Sequence, residues 1–315
     1  MHYLVTGGAG FIGSNLVAAL LQRGDSVCVL DDFSTGRHEN LAFVESSGAG
    51  HRFRLVEGDM RSMEVVRDAM AGAEYVLHQA ALGSVPKSIA DPLTTHDVNL
   101  NGHMNVLIAA RDAGVKRLVC AGSSSSYGDT PTLPKVESMP AKPLSPYAVT
   151  KYAQEAYCQV FTRVYGLETV VLRYFNIYGP HQDPYSQYAA VIPLFVKALL
   201  EGRPPTIHGD GLQTRDFTFI EDCIQANLRA CEAPGAAGEV FNVATGSRVT
   251  LLDLYALLCE LLGKEIPPVH GPERAGDIKH SLADIGKAQA VLGYDPVYDI
   301  RSGLTKAIVW YRKNL

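Results

Sequence analysis

Tyr147 and Lys151 stand four positions apart, a spacing that could carry acid–base chemistry. Residues four apart lie on one face of a helix, so the lysine ammonium would lie beside the phenol and favour its ionised form. A phenolate can remove a proton from an alcohol. The same pair can also be an ordinary surface contact, and a cofactor site nearby would favour catalysis.

A run of four serines, Ser123–Ser126, offers hydroxyl groups that could share a substrate proton with Tyr147. The run directly follows a predicted strand, and open α/β sheets bind their ligands at the carboxyl ends of strands. It can equally be a flexible polar loop. The sequence does not indicate which serine points inward.

A glycine-rich turn, Gly7–Gly13, lies between the first predicted strand and the first predicted helix, with the spacing G-x-x-G-x-x-G. Glycines in this position let a pyrophosphate approach the backbone and the helix N-terminus. The strand, the helix and an acidic residue further on together favour a dinucleotide site over a merely tight turn. The positive charge of an oxidised nicotinamide would also favour the Tyr147 phenolate, which tips the interpretation of that residue towards catalysis.

Asp31 ends the second predicted strand, 18 residues after Gly13. A carboxylate here accepts hydrogen bonds from an adenosine ribose and lies against a 2′-phosphate, which favours NAD over NADP. Arg37 could offset that charge, and Asp31 could also be an ordinary loop acid. Asp59 follows the third predicted strand and could meet the adenine amino group, although an aspartate there is also typical of a turn or cap.

Strands that alternate with helices must position these residues. Apolar and β-branched runs predict strands at Tyr3–Thr6, Ser26–Leu30, Phe53–Glu57, Tyr75–Gln79, Arg117–Ala121 and Thr169–Tyr174. Helices are predicted between them at Phe11–Arg23, Met63–Met70, Val98–Ala113 and Tyr147–Tyr165. This alternation predicts a Rossmann-type α/β fold with a doubly wound parallel sheet.

After Tyr178 the alternation becomes irregular, and we predict a smaller α/β substrate domain interleaved with the first. We expect helices at Val191–Gly202, Ile220–Cys231, Leu251–Leu262 and Ile300–Arg312, and short strands within Pro204–Gly211 and at Val240–Val243. Thr250 and Asp253 resemble a helix N-terminus. The strand at 240–243 could rejoin the main sheet, so the predicted domains are 1–178 with about 218–245, and 179–217 with 246–315.

The composition excludes several classes of protein. Of 315 residues, 47% are hydrophobic and 19% charged, as in ordinary globular proteins. A net charge of −5 is too weak and of the wrong sign for binding nucleic acid or an anionic membrane. The six cysteines lie mostly in apolar runs without C-x-x-C, so we expect neither disulfides nor a metal site. With no signal peptide and no apolar run of about 18 residues, we expect a cytoplasmic protein.

These motifs resemble those of the extended short-chain dehydrogenase/reductase family, specifically its nucleotide-sugar 4-epimerases. The resemblance covers essentially the whole chain and rests on the glycine turn, Asp31, Ser123, Tyr147 with Lys151, Arg173–Pro180 and Gly209–Phe217. It implies NAD as cofactor and a catalytic triad of Ser123, Tyr147 and Lys151. The cofactor-binding residues it implies are Gly7, Gly10, Phe11, Ile12, Gly13, Asp31, Asp32, Ser34, Thr35, Gly36, Asp59, Met60, Ala80, Ala81, Leu82, Asn99, Tyr147, Lys151 and Tyr174.

The resemblance also implies a UDP-sugar substrate. The residues implied to bind it are Gly83, Ser84, Ser123, Ser124, Ser125, Asn176, Ala190, Val191, Arg215, Arg274, Asp277 and Ser281. Two arginines in this set suit a diphosphate, and a carboxylate suits a ribose diol.

Two features separate the branches of this family. The 4,6-dehydratases carry an Asp-Glu pair directly after the triad hydroxyl, where this chain has Ser124 and Ser125, so dehydration is disfavoured. Ser281 stands where galactose-restricted epimerases carry a bulky tyrosine, and a small side chain leaves room for an N-acetyl group. Ser281 could instead cap a following helix. We therefore expect reversible C4 epimerisation of UDP-N-acetylglucosamine through a transient 4-keto sugar.

Alternative functions remain open. The same scaffold could epimerise UDP-glucose or a UDP-hexuronate, or the chain could be a catalytically idle NAD-binding regulator. The resemblance also implies a homodimer in which the helices predicted at Val98–Ala113 and Tyr147–Tyr165 form a four-helix bundle. Their apolar stripes could equally face the sheet.

Overall fold

Parallel strands form the centre of the molecule. The structure, a computed structural model, describes residues 1–183, 185, 190–273 and 278–314. Its strands are β1 (His2–Thr6), β2 (Ser26–Asp31), β3 (Phe53–Glu57), β4 (Tyr75–His78), β5 (Arg117–Ser123), β6 (Thr169–Tyr174), β7 (Ile177–Tyr178), β8 (Thr206–His208), β9 (Thr214–Arg215), β10 (Thr218–Phe219), β11 (Val240–Val243), β12 (Val249–Thr250) and β13 (Val269–Gly271). The main sheet has the order β3-β2-β1-β4-β5-β6-β11, and every neighbouring pair is parallel. This confirms the predicted doubly wound sheet, which β11 completes.

Some of the helices cover the two faces of this sheet, and others build a second region. They are α1 (Phe11–Gln22), α2 (Phe43–Ser46), α3 (Met63–Met70), α4 (Val85–Ala90), α5 (Pro92–His96), α6 (His103–Asp112), α7 (Pro146–Tyr165), α8 (Val191–Leu200), α9 (Ile220–Glu232), α10 (Leu251–Leu262), α11 (Gly286–Leu292) and α12 (Ile300–Asn314). On β1, Val5 belongs to the core that contains α1 and α9, whereas Leu4 belongs to the core that contains α3, α6 and α7. Both side chains are fully buried, as expected for a parallel strand covered on both sides.

A second region packs around a core of its own. Apolar side chains of α8, α10 and α12 meet there, among them Phe195, Leu258 and Leu304. Three two-stranded sheets surround this core: β7 with β10, β8 with β13, and β9 with β12. The proposed division into two domains stays a prediction, although β11 belongs to the main sheet as the interleaved arrangement requires. None of the described helices is long and apolar enough to cross a membrane.

The structure differs from the prediction between β4 and α6. Two short helices that the periodicity did not predict, α4 and α5, fill part of this stretch. Each has a proline in its first turn and a side-chain cap before it, Ser84 and Asp91 respectively, which are local start signals that apolar spacing does not reveal. The helix predicted from Val98 begins with a π-helical segment, Asp97–Gly102, before α6.

Candidate active site

A cleft of about 730 Å³, here called the large cleft, opens at the carboxyl ends of β1 to β6. Nearly all of the predicted cofactor residues line it, so the fold gathers segments that are far apart in the chain around one space. They are Gly7, Gly10, Phe11, Ile12, Gly13, Asp31, Asp32, Ser34, Thr35, Gly36, Asp59, Met60, Ala80, Ala81, Leu82, Tyr147, Lys151 and Tyr174.

The glycine turn brings backbone against backbone at one end of the large cleft. Gly7 has a φ of +69°, and a Cβ on it would lie 2.7 Å from the backbone nitrogen of Ala80. A Cβ on Gly13 would lie 2.0 Å from the carbonyl oxygen of Gly7. Gly10, the residue before α1, offers no side-chain cap, so the first N–H groups of that helix are available to an anion.

Asp31 is buried at the edge of the glycine turn. Its Oδ2 accepts a hydrogen bond from the Ala9 N–H at 2.8 Å, and its Oδ1 accepts one from the Phe33 N–H at 2.9 Å. Burial raises the pKa of this carboxyl above its ordinary value, although the two backbone donors oppose the shift. Because a carboxylate oxygen accepts more than one hydrogen bond, Asp31 still has acceptor capacity for a diol.

Asp59 and Asp32 are already engaged with neighbours in the same cleft. The Asp59 carboxylate accepts from Nε and Nη2 of Arg61 at 2.8 and 2.6 Å, and these hydrogen bonds hold its pKa below the ordinary range. Asp32 accepts hydrogen bonds from the backbone and the hydroxyl of Ser34. Both carboxylates are therefore fixed in place within the cleft wall.

Tyr147 and Lys151 lie in the first turns of α7 and line the same cleft as the glycine turn. Ser145 caps this helix by accepting a hydrogen bond from the Ala148 N–H at 3.2 Å. The Tyr147 N–H donates to Oγ of Ser88 on α4 at 3.1 Å, so an element absent from the prediction helps to fix the tyrosine. Lys151 is 5% exposed and donates from Nζ to the Ala121 carbonyl oxygen at 2.8 Å.

Ser123 ends β5 near this wall but does not line the large cleft. Its Oγ lies 2.8 Å from Oγ of Ser125 and accepts from the Ser125 N–H at 3.2 Å, which caps the 3₁₀ turn Ser124–Tyr127. Within the described chain no hydrogen bond joins Ser123 to Tyr147. The serine run is thus an ordered turn rather than a flexible loop.

Asn99 supports the site from behind rather than lining it. It is fully buried, and its Oδ1 accepts from the Leu82 N–H at 2.8 Å while its Nδ2 donates to Oγ1 of Thr150 at 3.0 Å. This side chain ties the segment after β4 to α7.

Tyr174 lies at the end of β6, and its hydroxyl donates to Gln79 and Asn227. Burial raises the pKa of this hydroxyl well above its ordinary value.

A buried cluster of histidine and cysteine lies between the central strands β4 and β5 and the start of α6. Donor atoms of His78, His103 and Cys120 lie within 4.8 Å of one another. Nδ1 of His78 lies 2.6 Å from Oγ1 of Thr6, and Nε2 of His103 lies 3.8 Å from Sγ of Cys158. Burial lowers the pKa of His78 to about 3, so this imidazole is neutral near pH 7. The expectation that the chain has no metal site stays a prediction.

A second pocket, of about 500 Å³, is lined by Asn176, two residues beyond Tyr174, which lines the large cleft. Four of the predicted substrate residues line it: Asn176, Ala190, Val191 and Arg215. Arg215 donates from Nη1 to the carbonyl oxygens of Thr214 and Lys279 at 3.0 and 3.2 Å. Sequence reasoning did not assign several further residues that line this pocket. Gln213 and Phe217 lie within the motif Gly209–Phe217, whereas no motif gave a signal for Lys197, Arg203 and His208.

Gly83, Ser84, Ser124 and Ser125, which were also predicted to bind the substrate, do not line this pocket. Gly83 lines the large cleft, and Ser84 caps α4 by accepting from the Lys87 N–H at 3.2 Å. Ser124 and Ser125 lie in the 3₁₀ turn after β5. Arg274 and Asp277 lie outside the described residues.

Ser281 is half-buried, and its N–H donates to the Thr214 carbonyl oxygen at 3.1 Å. Ile285 is the residue that precedes α11, so the interpretation of Ser281 as a helix cap is wrong. Its hydrogen bond instead places it beside the strand that carries Arg215.

Comparison with known proteins agrees with this arrangement. Residues 3–244 match the NAD dependent epimerase/dehydratase family. The chain is 39% identical over 314 residues to a UDP-glucose 4-epimerase of Mycolicibacterium smegmatis, covering 99% of each. It is 37% identical to the solved UDP-N-acetylglucosamine 4-epimerase of Methanobrevibacter ruminantium, with a TM-score of 0.94, covering 100% of this chain and 99% of that one. A UDP-glucose 4-epimerase of Thermus thermophilus, solved in complex with NAD, is 36% identical with a TM-score of 0.89, covering 100% of both chains. The chain therefore belongs to the NAD dependent epimerase/dehydratase family and is an NAD-dependent nucleotide-sugar 4-epimerase, an isomerase.

Proposed function

We propose that this protein interconverts the C4 epimers of a UDP-N-acetylhexosamine, UDP-N-acetylglucosamine and UDP-N-acetylgalactosamine. One observation carries the proposal: the tyrosine and lysine of α7 line the same cleft as the glycine turn, and an arginine-bearing pocket begins two residues beyond Tyr174. A hydride-accepting cofactor, a proton-transferring phenol and an anchor for a diphosphate are the three parts that C4 epimerisation requires.

The large cleft fits NAD. The absence of a Cβ at Gly7 and Gly13 lets the backbone of the turn pack closely, and the uncapped N-terminus of α1 offers N–H donors to a pyrophosphate. Asp31 retains acceptor capacity for the 2′- and 3′-hydroxyls of the adenosine ribose. Held by these residues, NAD would supply a reversible hydride acceptor for C4 of the sugar.

Each member of the proposed triad has a separate task. Tyr147 holds the proton of the sugar 4-hydroxyl and gives it back when the carbonyl is reduced. Lys151 donates from Nζ to the Ala121 carbonyl oxygen and lines the large cleft, where it would hold the cofactor ribose. Ser123 joins the proton transfer by turning its hydroxyl from Ser125 towards the substrate.

Inversion requires the 4-keto sugar to turn over while the nucleotide stays fixed. Arg215 suits the diphosphate because a guanidinium binds phosphate oxygens in pairs, and it lies in the second pocket with Asn176 and Val191. Arg274 and Asp277 complete the proposed grip on the UDP. Small side chains, Gly83, Ser84 and Ala190, leave space for the sugar to rotate.

Ser281 supports an N-acetylated sugar, because its side chain is small and caps no helix. UDP-glucose is the second candidate substrate, which the similarity to the Mycolicibacterium smegmatis enzyme favours. The second pocket offers less to a UDP-hexuronate, whose carboxylate would need a cation. Arg215 in this pocket is assigned to the diphosphate, and His181 and Lys87 line the large cleft instead.

We also propose a homodimer that packs α7 against its copy. Val149, Tyr152, Val160 and Val164 form a stripe on this helix, each between 41% and 63% exposed, at spacings of a helical face. The stripe does not pack against the sheet, which supports its use between copies. Sedimentation equilibrium of the Val160→Asp variant should give a monomer where the parent gives a dimer; a Val309→Asp control, on an exposed position of α12, should leave the dimer intact.

The substrate is tested by incubating the purified protein separately with UDP-N-acetylglucosamine, UDP-glucose and UDP-glucuronate and resolving the C4 epimers by NMR. We expect fastest conversion of UDP-N-acetylglucosamine. Conversion of UDP-glucose alone would overturn the argument from Ser281, and replacing Ser281 with Tyr should suppress only the N-acetylated reaction. Absence of turnover with every UDP-sugar would favour the NAD-binding regulator.

A further inference from the structure

The segment Pro180–Asp183, here called the clasp, crosses from the second region to the rim of the large cleft. The carbonyl oxygen of Pro180 accepts a hydrogen bond from Nδ2 of Asn15 at 3.0 Å, and Nδ1 of His181 lies 2.7 Å from Oγ of Ser14. Both partners lie in the first turns of α1, directly after the glycine turn. The clasp is therefore bonded to the helix whose N-terminus faces the proposed pyrophosphate site.

The other side of the clasp is held by the C-terminal helix. The hydroxyl of Tyr311 on α12 donates to the Gly179 carbonyl oxygen at 3.2 Å and to Oε1 of Gln182 at 3.3 Å. The Trp310 ring stands edge-on to the His181 ring at 5.5 Å. His181 adopts a φ of +70°, a conformation costly for a residue with a side chain and maintained only when the surroundings hold it. The clasp is thus a fixed part of the structure.

At its end the clasp pairs with the loop that follows Asp31. Nη2 of Arg37 lies 3.0 Å from Oδ1 of Asp183, and both residues line the large cleft. The Arg37 backbone N–H donates to the carbonyl oxygen of Ala9, the residue whose own N–H binds Asp31. Arg37 therefore belongs to the structure that surrounds the proposed ribose site.

An arginine in this position has a known chemical consequence. In dinucleotide-binding folds an arginine near the acidic residue accommodates the 2′-phosphate of NADP. Here the guanidinium is already paired with a carboxylate from a distant part of the chain. A 2′-phosphate would have to displace Asp183 and would face both its charge and that of Asp31.

We propose that Asp183 is a specificity-determining residue for the cofactor: by pairing with Arg37 it withholds the guanidinium from a 2′-phosphate and so favours NAD over NADP. This inference rests on the cofactor placement given under the proposed function. It adds to Asp31 a second determinant, located in a segment that leads into the substrate region.

The test is a competition between cofactors. Holoprotein is equilibrated with an excess of NAD and NADP in equal amounts, freed of unbound nucleotide, and its bound nucleotides are separated by chromatography. For Asp183→Asn we expect the ratio of bound NADP to NAD to rise by at least about fivefold, since the freed guanidinium gains a charge-assisted contact. Glu39→Gln, which removes an exposed charge from the same loop without touching Arg37, should leave the ratio unchanged.

A second substitution separates pairing from simple charge removal. In an Arg37→Met background, Asp183→Asn should no longer raise the ratio, because there is no guanidinium to release. A rise that persists in full in this background overturns the proposal, as does an unchanged ratio in the single variant.

A wrong placement of the NAD ribose at Asp31 would give a different result. Asp31→Asn should weaken NAD binding if the ribose lies where we place it. If Asp31→Asn leaves NAD bound as tightly as in the parent, the placement fails. If it weakens NAD while Asp183→Asn does not change selectivity, only the role of Asp183 fails.

Discussion

The large cleft and the second pocket differ in which parts of the chain form their walls. At one end of the large cleft, backbone lies directly against backbone, as between the Gly7 carbonyl oxygen and Gly13, which carries no Cβ. The second pocket is walled by side chains from separate elements, such as Val191 on α8 and Arg215 on β9. A wall of backbone is rigid and is specified locally, whereas a wall of side chains depends on how several elements pack together. The comparison predicts that substitutions in the two sites will fail in different ways.

The largest effect is expected at the phenol. Tyr147→Phe removes the group that we propose transfers the proton, so kcat should fall by about a hundredfold or more. NAD should remain bound, because the backbone walls of the cleft are unchanged. Steady-state kinetics and the cofactor content of the purified variant measure both, and turnover near the parent rate would contradict the assignment.

The next largest effect is expected from a substitution that forces the backbone of the glycine turn apart. Gly13→Ala would place a Cβ 2.0 Å from the Gly7 carbonyl oxygen, so backbone must move and we expect a loss of about 3 kcal/mol or more in the free energy of unfolding, together with loss of bound NAD. Urea unfolding and cofactor content provide the measurement.

Gly263→Ala is the matched control in the second region. Gly263 has a φ of +66°, but a methyl group added there would meet no atom within 4 Å among the described residues, so only the conformational cost of about 1 kcal/mol is expected, with NAD retained. Equal losses in the two variants would show that contact with the Gly7 carbonyl does not matter.

A substitution in the side-chain wall of the second pocket should weaken substrate binding more than it slows the reaction. Arg215→Ala removes one charged anchor for the diphosphate, so KM for the UDP-sugar should rise by about tenfold while kcat changes little. A drop in kcat comparable to that of Tyr147→Phe, at unchanged KM, would mean that Arg215 takes part in the reaction rather than in binding.

The smallest effect concerns the pH dependence of Asp31. Burial raises the pKa of this carboxyl in the folded protein, so its proton stabilises the native state below the unfolded pKa, and that contribution is lost as pH rises through the folded pKa. Asp31→Asn does not titrate. Its unfolding free energy relative to the parent should therefore increase as pH rises from about 3.8, and by less than the effects above. Urea unfolding at several pH values measures this; the opposite slope would show that hydrogen bonds outweigh burial.

Much of the fold could be predicted because its signals are local. The apolar runs placed β1 to β6 and β11 within a residue or two, and Thr250 caps α10 as predicted, accepting from the Asp253 N–H at 3.0 Å. The helices α4 and α5 escaped prediction because each is at most six residues long, too short for a helical period to appear. The π-helical segment before α6 has no sequence period of its own.

In the candidate site, too, the residues that could be predicted are those that depend on local spacing. The glycine turn, Asp31 and the Tyr147–Lys151 pair were predicted from spacing, because each depends on one strand–turn–helix unit or one helical turn. Asn99 was assigned to the cofactor, but it is buried and braces Leu82 against Thr150. Spacing cannot distinguish a side chain that lines a cleft from one directly behind it.

The sequence by itself determined the parallel sheet, the dinucleotide turn and the helix that carries the tyrosine and lysine. Only the tertiary structure decided that Ser88 holds the backbone of Tyr147, that Ser281 caps no helix, and that Asp183 meets Arg37. The physical reason is the separation of the interacting residues along the chain: turns, caps and helical faces depend on neighbouring residues. A contact between distant segments exists only once packing has fixed the elements that carry them.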